Sequence, residues 1–245
     1  MARFFLPRRN MQGQKGLLTG EELEHMRRVL RLRPGDHVTL FDDEGREHEA
    51  VIRSYTAEAG ELEVVKSYQP DRESPLEIVL GQALGKGDKM DWIVEKATEL
   101  GVGTIIPFLS SYTVPRPDAK RAEQRRERWK KIALSAAKQS GRTRVPEIGA
   151  STDFATLVQK SWPCDLKLLF WEESAQGLAG LQKEKVHLSS LLLVVGPEGG
   201  FSPDEASEAV RQQFHSVGLG KRILRTETAA LAAVSLVQFL WGDMG

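Results

Sequence analysis

The run SSLLLVVGPEGGFSPDE at residues 189–205 constrains the fold more than any other, because it holds a buried strand, a glycine-rich loop and a helix start in one short span. Residues 191–195 are unbroken apolar and end on two β-branched residues, which suits a strand covered on both faces, as parallel strands in α/β proteins are. Polarity returns at Gly196. Ser202 fits a helix cap, Pro203 fits the first helical position, where no N–H is required, and Glu205 stands three residues after the cap to close a capping box. Residues 196–201 therefore read as a strand-to-helix loop. In open α/β sheets ligands lie beyond the carboxyl ends of strands, and Gly196, Gly199 and Gly200 would let the backbone approach one without a Cβ in the way. The spacing is neither GxGxxG nor GxxxxGK[ST], and the loop carries Glu198 and no lysine. A phosphate cradle is thus disfavoured, and a ligand with cationic character suits the loop better. An ordinary tight connection without a ligand accounts for the same residues.

The rest of the chain can support such a fold. Its 245 residues are 40% hydrophobic, enough for one large domain or two modest ones with real cores. No aliphatic run exceeds six residues and the N-terminal MARFFLPRR has only a brief apolar centre. Neither a membrane span nor a secretory signal is expected, so the reading is a cytoplasmic protein. Cys164 is the single cysteine and the five histidines are scattered, which excludes an internal disulfide and leaves no metal-ligand spacing.

Strands are expected over 3–6, 37–41, 47–53 and 61–68, separated by turns at Arg33-Pro34-Gly35-Asp36, at 42–45 and at 57–60. Thr19 and Glu22 have the spacing of a capping box for a helix whose Leu23, Met26 and Leu30 share one face. Short strands with tight turns suggest a small β-barrel. Residues 70–75 (PDRESP) form a polar, proline-bounded linker, dividing the chain into domains over 1–70 and 74–245. Beyond it strands alternate with helices, the mark of a parallel α/β sheet. Strands are expected over 77–84, 104–108, 166–170, 191–195 and 217–219. Helices are expected from Asp88 towards Gly101, over 118–140 with an apolar stripe of Trp129, Ile132, Ala133 and Ala136, over 175–185 and over 230–240.

A second loop, LGKRILRTET at 219–228, follows the last strand and brings Arg222, Arg225, Thr226, Glu227 and Thr228 close to the first loop if their strands are neighbours. The plainer reading pairs the arginines with acidic neighbours and uses Thr226 to cap the final helix. Net charge is zero, yet residues 116–144 hold eleven Lys and Arg against Asp118, Glu123 and Glu127, and the first 33 residues are basic as well. Arg3, Arg8, Arg9, Arg27 and Arg28 in one region, with Arg121, Arg125, Arg126 and Lys130 in the other, suit a polyanion such as RNA; two solvated faces would give the same pattern.

Taken with GPEGGFSPDE and LGKRILRTETA, the segments RFFL at 3–6, HMRRVLRLRPGD at 25–36, KMDWIVEKATELGV at 89–102 and the Arg128-Trp129 pair cover nearly the whole chain. In these the chain closely resembles the RsmE family of ribosomal RNA uridine methyltransferases, in the SPOUT superfamily of knotted methyltransferases. One departure is Lys138, in AAKQSGR, where the family usually has glutamate. The resemblance implies an α/β fold: an N-terminal PUA-like barrel that binds RNA and a C-terminal SPOUT domain whose mostly parallel sheet carries a trefoil knot. It implies a homodimer, and S-adenosylmethionine held by the knot loops. Those loops would contribute Leu169 and Phe170, then Gly196, Pro197, Glu198, Gly199 and Gly200, then Leu219, Gly220, Ile223, Leu224, Thr226 and Thr228. The general scarcity of knots argues against one, so only the resemblance supports it.

The family reaction would transfer the sulfonium methyl group to N3 of a uridine in 16S ribosomal RNA, either free or in the small subunit, with no metal. That nitrogen is protonated at neutral pH, so the enzyme must displace a proton while stabilising charge on the flanking carbonyl oxygens, a task that suits guanidinium groups. Arg225 is the first candidate, with Arg222 second, and Glu227 and Glu198 are candidate bases. A rival reading is a non-catalytic RNA-binding protein that uses the barrel and the basic helix, with the glycine loop purely structural. It differs in predicting no specific binding of S-adenosylmethionine.

Overall fold

Apolar residues at alternate positions build the start of the chain into short strands: β1 (Arg3–Phe5), β2 (Met11–Gln12), β3 (Lys15–Thr19), β4 (His37–Phe41), β5 (Glu47–Tyr55) and β6 (Ala59–Tyr68). These form one sheet in the order β1-β4-β5-β6-β3-β2, with β1 and β4 parallel and the other pairs antiparallel. Phe4, Met11, Leu18, Leu40, Ile52 and Leu62, one from each strand, enter a single buried cluster, so the sheet curls around one core. The computed structural model describes residues 1–42, 44–114, 116–184 and 187–245. It divides into two units, Met1–Glu73 with Ala137–Val145, and Ser74–Ala136 with Pro146–Gly245.

Two local expectations in the first unit fail for identifiable reasons. Thr19 precedes helix α1 (Gly20–Glu24), but its hydroxyl makes no capping bond, and Glu22 turns away to accept from the Phe5 N–H at 3.1 Å and from Lys138 Nζ at 2.8 Å. The helix then widens into a π-turn over His25–Val29, with the Leu30 N–H donating five residues back to the His25 carbonyl. Leu23 and Met26 stay buried, whereas the wider turn leaves Leu30 exposed. Lys138 thus completes an ion pair in which both side chains are largely covered, and its Nζ also lies 5.4 Å from the centre of the Phe4 ring.

In the second unit β7 (Glu77–Ala83), β8 (Thr104–Leu109), β9 (Glu147–Ile148), β10 (Thr152–Asp153), β11 (Leu166–Phe170), β12 (Ser190–Val195) and β13 (His215–Val217) form a sheet of order β10-β8-β7-β12-β11-β13, with β9 also on β8. Every pair is parallel. The intervening helices are α2 (Lys89–Glu99), α3 (Ala119–Ser140), α4 (Phe154–Gln159), α5 (Leu178–Glu184), α6 (Pro203–Arg211) and α7 (Thr226–Trp241). Leu192 and Val194 pack with Leu157 and Val158 of α4 and with Ala206 and Ala209 of α6. The alternating Leu191, Leu193 and Val195 are just as buried, as a strand covered on both faces requires. α7 packs against α2 and β12.

The expected apolar stripe of α3 is seen for the most part, with Trp129, Ala133 and Ala136 buried and Ile132 half-buried. The final strand lies two residues earlier than expected, because Gly218 leaves the ladder to donate its N–H to the Gln176 carbonyl at 2.8 Å. The helix expected over 175–185 begins at Leu178, and Lys185 lies outside the described residues. The final helix starts four residues earlier than expected, at Thr226. No described helix is long and apolar enough to cross a membrane.

Candidate active site

Because all strands of the second sheet are parallel, the loops after β7, β8, β12, β11 and β13 open at one end, and the last three strands are neighbours. The loop after β12 is fixed at its far end by the expected capping box: Ser202 Oγ accepts from the Glu205 N–H and Glu205 Oε2 accepts from the Ser202 N–H. Phe201 anchors it in the core, with its ring 5.4 Å from that of Phe154 and stacked at 6.4 Å on that of Phe108.

Thr226 joins the two sequence-predicted loops. Its hydroxyl is buried, donates to the Gly196 carbonyl at 2.6 Å and accepts from Gln82 Nε2 at 3.0 Å. Arg225, not Thr226, takes the N-cap position of α7, so the threonine acts as a bridge and not as a cap. The loop after β11 is tied in by the Trp171 N–H, which donates to the Val217 carbonyl at 3.0 Å, and by Ser174 Oγ, which donates to the Ser216 carbonyl at 2.8 Å.

The glycines of the first loop answer to chain packing. A Cβ on Gly196 would press on the Phe201 ring, one on Gly199 would come within 2.9 Å of Tyr112 Cβ, and Gly200, at φ +70°, faces the Glu172 carboxylate. Leu169, Phe170, Gly196, Pro197 and Thr226 are buried where the strands end, with Leu219 and Leu224 half-buried beside them. Glu198, Gly199, Gly220, Ile223 and Thr228 are exposed. Arg222 and Arg225 are also exposed, and neither has an acidic partner among the described residues.

Sequence reasoning missed Lys89. From the first turn of α2 its Nζ donates to Glu198 Oε1 at 2.7 Å and lies 3.3 Å from Glu227 Oε2, so one lysine joins both carboxylates proposed as bases. The Lys89 ammonium is raised above its ordinary range, first by the Glu198 hydrogen bond. Burial works to raise the Glu198 carboxyl, but the bonds from Lys89 and the Lys86 N–H outweigh it and hold Glu198 below the usual range. A carboxylate so held is a weak proton acceptor, which favours an anchoring role for Glu198. The only hint in sequence was Lys89's place at the head of a helix. Gln82 was signalled more openly, as a polar side chain inside the apolar strand EIVLGQA.

Among the described residues no group of three or more His, Cys, Asp and Glu could hold a metal. The site does fit a sulfonium nucleoside. Its strand ends are apolar, the Glu172 carboxylate lies against Gly200, Glu198 and Glu227 outnumber the one lysine between them, and Gln82 Oε1, on the side chain bonded to Thr226, is buried without a hydrogen-bond partner among the described residues.

A family model described as an RNA methyltransferase domain matches residues 72–238, and one described as an RNA methyltransferase PUA domain matches residues 18–64. A relative named ribosomal RNA small subunit methyltransferase E, from Bacillus subtilis, is 35% identical over 98% of this chain and 96% of its own. The chain belongs to the ribosomal RNA small subunit methyltransferase E family. A solved member from Neisseria gonorrhoeae, bound to S-adenosyl methionine, is 37% identical and superposes with a TM-score of 0.90 over all of both chains. A putative methyltransferase from Legionella pneumophila, in complex with the same cofactor, is 31% identical with a TM-score of 0.90, covering 99% of this chain and 98% of that one. The family and two-domain α/β fold expected from the sequence motifs are the ones found.

Proposed function

We propose that this chain is an S-adenosylmethionine-dependent methyltransferase that modifies N3 of a uridine in 16S ribosomal RNA, in the cytoplasm. The observation that carries the reading is the Thr226 to Gly196 bond, which closes two strand-end loops around one site in a chain whose relatives are named as ribosomal RNA small subunit methyltransferases. Residues 74–245 perform methyl transfer and residues 1–70 bind RNA. The path of the chain supports the trefoil knot: from β13 at the sheet edge it returns past Gly196 to pack α7 on β12 and α2.

S-adenosylmethionine, when bound, supplies an already activated methyl group. The protein aligns donor and acceptor, which provides much of the acceleration. Phe170, Leu219 and Leu224 would give the ligand apolar walls, with the Leu169 side chain packed in the core behind them, and the backbone around Leu169, Gly196, Pro197, Gly199, Gly200 and Gly220 would shape its edge. Ile223 and Thr228, exposed beside the loops, would cover it from outside. Arg225 stabilises negative charge on the uridine carbonyl oxygens as the N3 proton leaves, with Arg222 as the reserve candidate. Glu227, less tightly held by Lys89 than Glu198 is, accepts that proton.

The test incubates the purified protein with S-adenosylmethionine and either 16S ribosomal RNA or small subunits from a strain lacking the enzyme, then maps methylated uridines by mass spectrometry. A single N3-methyluridine is expected. Calorimetry that detects no binding of S-adenosylmethionine would instead leave the non-catalytic RNA-binding reading.

The same reading includes a homodimer through the second unit. Trp92 on α2 and Leu236 and Phe239 on α7, two helices packed together, are 44%, 41% and 60% exposed, an apolar face that a second copy would cover. Sedimentation equilibrium at micromolar concentration should give twice the 27.3 kDa chain mass; a monomer there rejects the dimer.

A further inference from the structure

The turn after β8 presents an aromatic ring beside the glycine loop. Three bonds fix it: the Ser110 N–H donates to Thr113 Oγ1 at 2.9 Å, the Thr113 N–H to the Ser110 carbonyl at 3.1 Å, and the Ser111 N–H to Glu205 Oε1 at 2.8 Å. Ser110 and Thr113 are buried, and Glu205 is the residue that closes the capping box of α6. Tyr112 sits at the tip of this anchored turn. Its side chain lies so close to Gly199 that a Cβ there would fall 2.9 Å from Tyr112 Cβ and 3.5 Å from its Cγ, yet the residue is 51% exposed.

A large aromatic side chain carried on an anchored turn while half in water has an unused face. We propose that Tyr112 is a stacking platform for an unpaired RNA base next to the target uridine, and so a specificity-determining residue; this rests on the methyltransferase reading above. Sheet order argues for RNA over the cofactor. β8 lies on the β7 side of β12, whereas β11 and β13 lie on the other. Glu172, from the β11 loop, lies against Gly200, while Tyr112 reaches Gly199 from the opposite flank. It meets what approaches the loop from outside the cluster of β11, β12 and β13. Aromatic stacking is also the usual way that proteins hold splayed, single-stranded RNA bases.

The experiment compares wild type, Tyr112→Phe and Tyr112→Ala for 16S ribosomal RNA affinity across salt concentrations, single-turnover methylation and calorimetric affinity for S-adenosylmethionine. Tyr112→Ala should weaken RNA binding by about ten- to a hundredfold, the loss of one base–aromatic stack. Tyr112→Phe should retain wild-type affinity. The salt slope should not change, because no phosphate contact is removed, and cofactor affinity should hold. Equal RNA affinity in wild type and Tyr112→Ala, or equal losses in the Phe and Ala variants, would overturn the platform. So would a matching loss of cofactor affinity in Tyr112→Ala, which would make the ring a cofactor wall. A wild-type protein that methylates no 16S ribosomal RNA would remove the reading on which this rests.

Discussion

Arg225→Ala should slow single-turnover methylation by roughly a hundredfold or more at saturating RNA and cofactor, the scale seen when a preorganised donor to developing negative charge is removed. The physical case is the contrast between adjacent residues. Thr226 is buried and bonded to the Gly196 carbonyl, which fixes the backbone at the meeting of the two loops. Arg225, one residue earlier, is exposed with no ion pair among the described residues, so its guanidinium is fixed at its base and available at its tip. Arg225→Lys keeps the charge but loses the planar fork and should also be impaired. Binding of both substrates should change little. Full single-turnover activity in Arg225→Ala would refute the assignment, whereas slow turnover with equally weakened cofactor binding would make Arg225 a loop-structuring residue and move the role to Arg222.

The parts of the fold that were legible are those where local chemistry and burial agree. β12 and the capping box of α6 follow from the apolar run at 191–195 and from Ser202, Pro203 and Glu205, because each residue does locally what the fold demands of it. The Thr19 and Glu22 pair has the same spacing but no box, since a distant backbone N–H and Lys138 compete for the Glu22 carboxylate. β2, β9 and β10, at two residues each, are too short to show a period. No alternation pattern reports threading, so the knot rests on resemblance and on the path of the final chain segment.

The site divides in the same way. The two loops could be found because glycines and charged residues cluster after apolar strands. Their glycines were legible as a backbone requirement but not as to its cause, which lies in Phe201, Tyr112 and Glu172, two of them far away in sequence. Lys89 was invisible for a related reason: its partners are 109 and 138 positions away, and only the parallel sheet brings α2 beside the loop after β12. Pairing also sorts the basic residues. Arg3, expected on an RNA footprint, is instead built into the first unit, donating to Glu47 at 2.7 Å and to the carbonyls of Ala137 and Arg142. Arg126 is held by the Ile148 carbonyl at 2.8 Å, and Arg27 by the Thr56 carbonyl at 3.2 Å.

This sorting sets the last expectation. Among the described residues Arg9 and Arg125 are exposed without an ion pair, and Arg121 and Lys130 pair only with acids of their own helix or its cap. Such exposed pairs are worth about 1 kcal/mol or less and exchange readily for a phosphate. A variant carrying Arg9→Ala, Arg121→Ala, Arg125→Ala and Lys130→Ala should therefore lose up to four phosphate contacts. Each contact contributes roughly 0.7 to 0.9 to the slope of log affinity against log salt, so the slope should flatten by about 3 and affinity near 0.1 M salt should fall on the order of a thousandfold. Arg8 and Arg28, at 3.9 and 2.8 Å from Glu44 and Glu24, should add smaller steps. Arg3→Ala should act differently, because it takes one donor from the buried Glu47 carboxylate, which keeps Arg72 and Tyr68, and removes its bonds to two carbonyls, and so lowers the urea midpoint of the first unit. A fourfold variant whose salt slope equals that of wild type would show that these residues form only a solvated face, whatever its effect on stability.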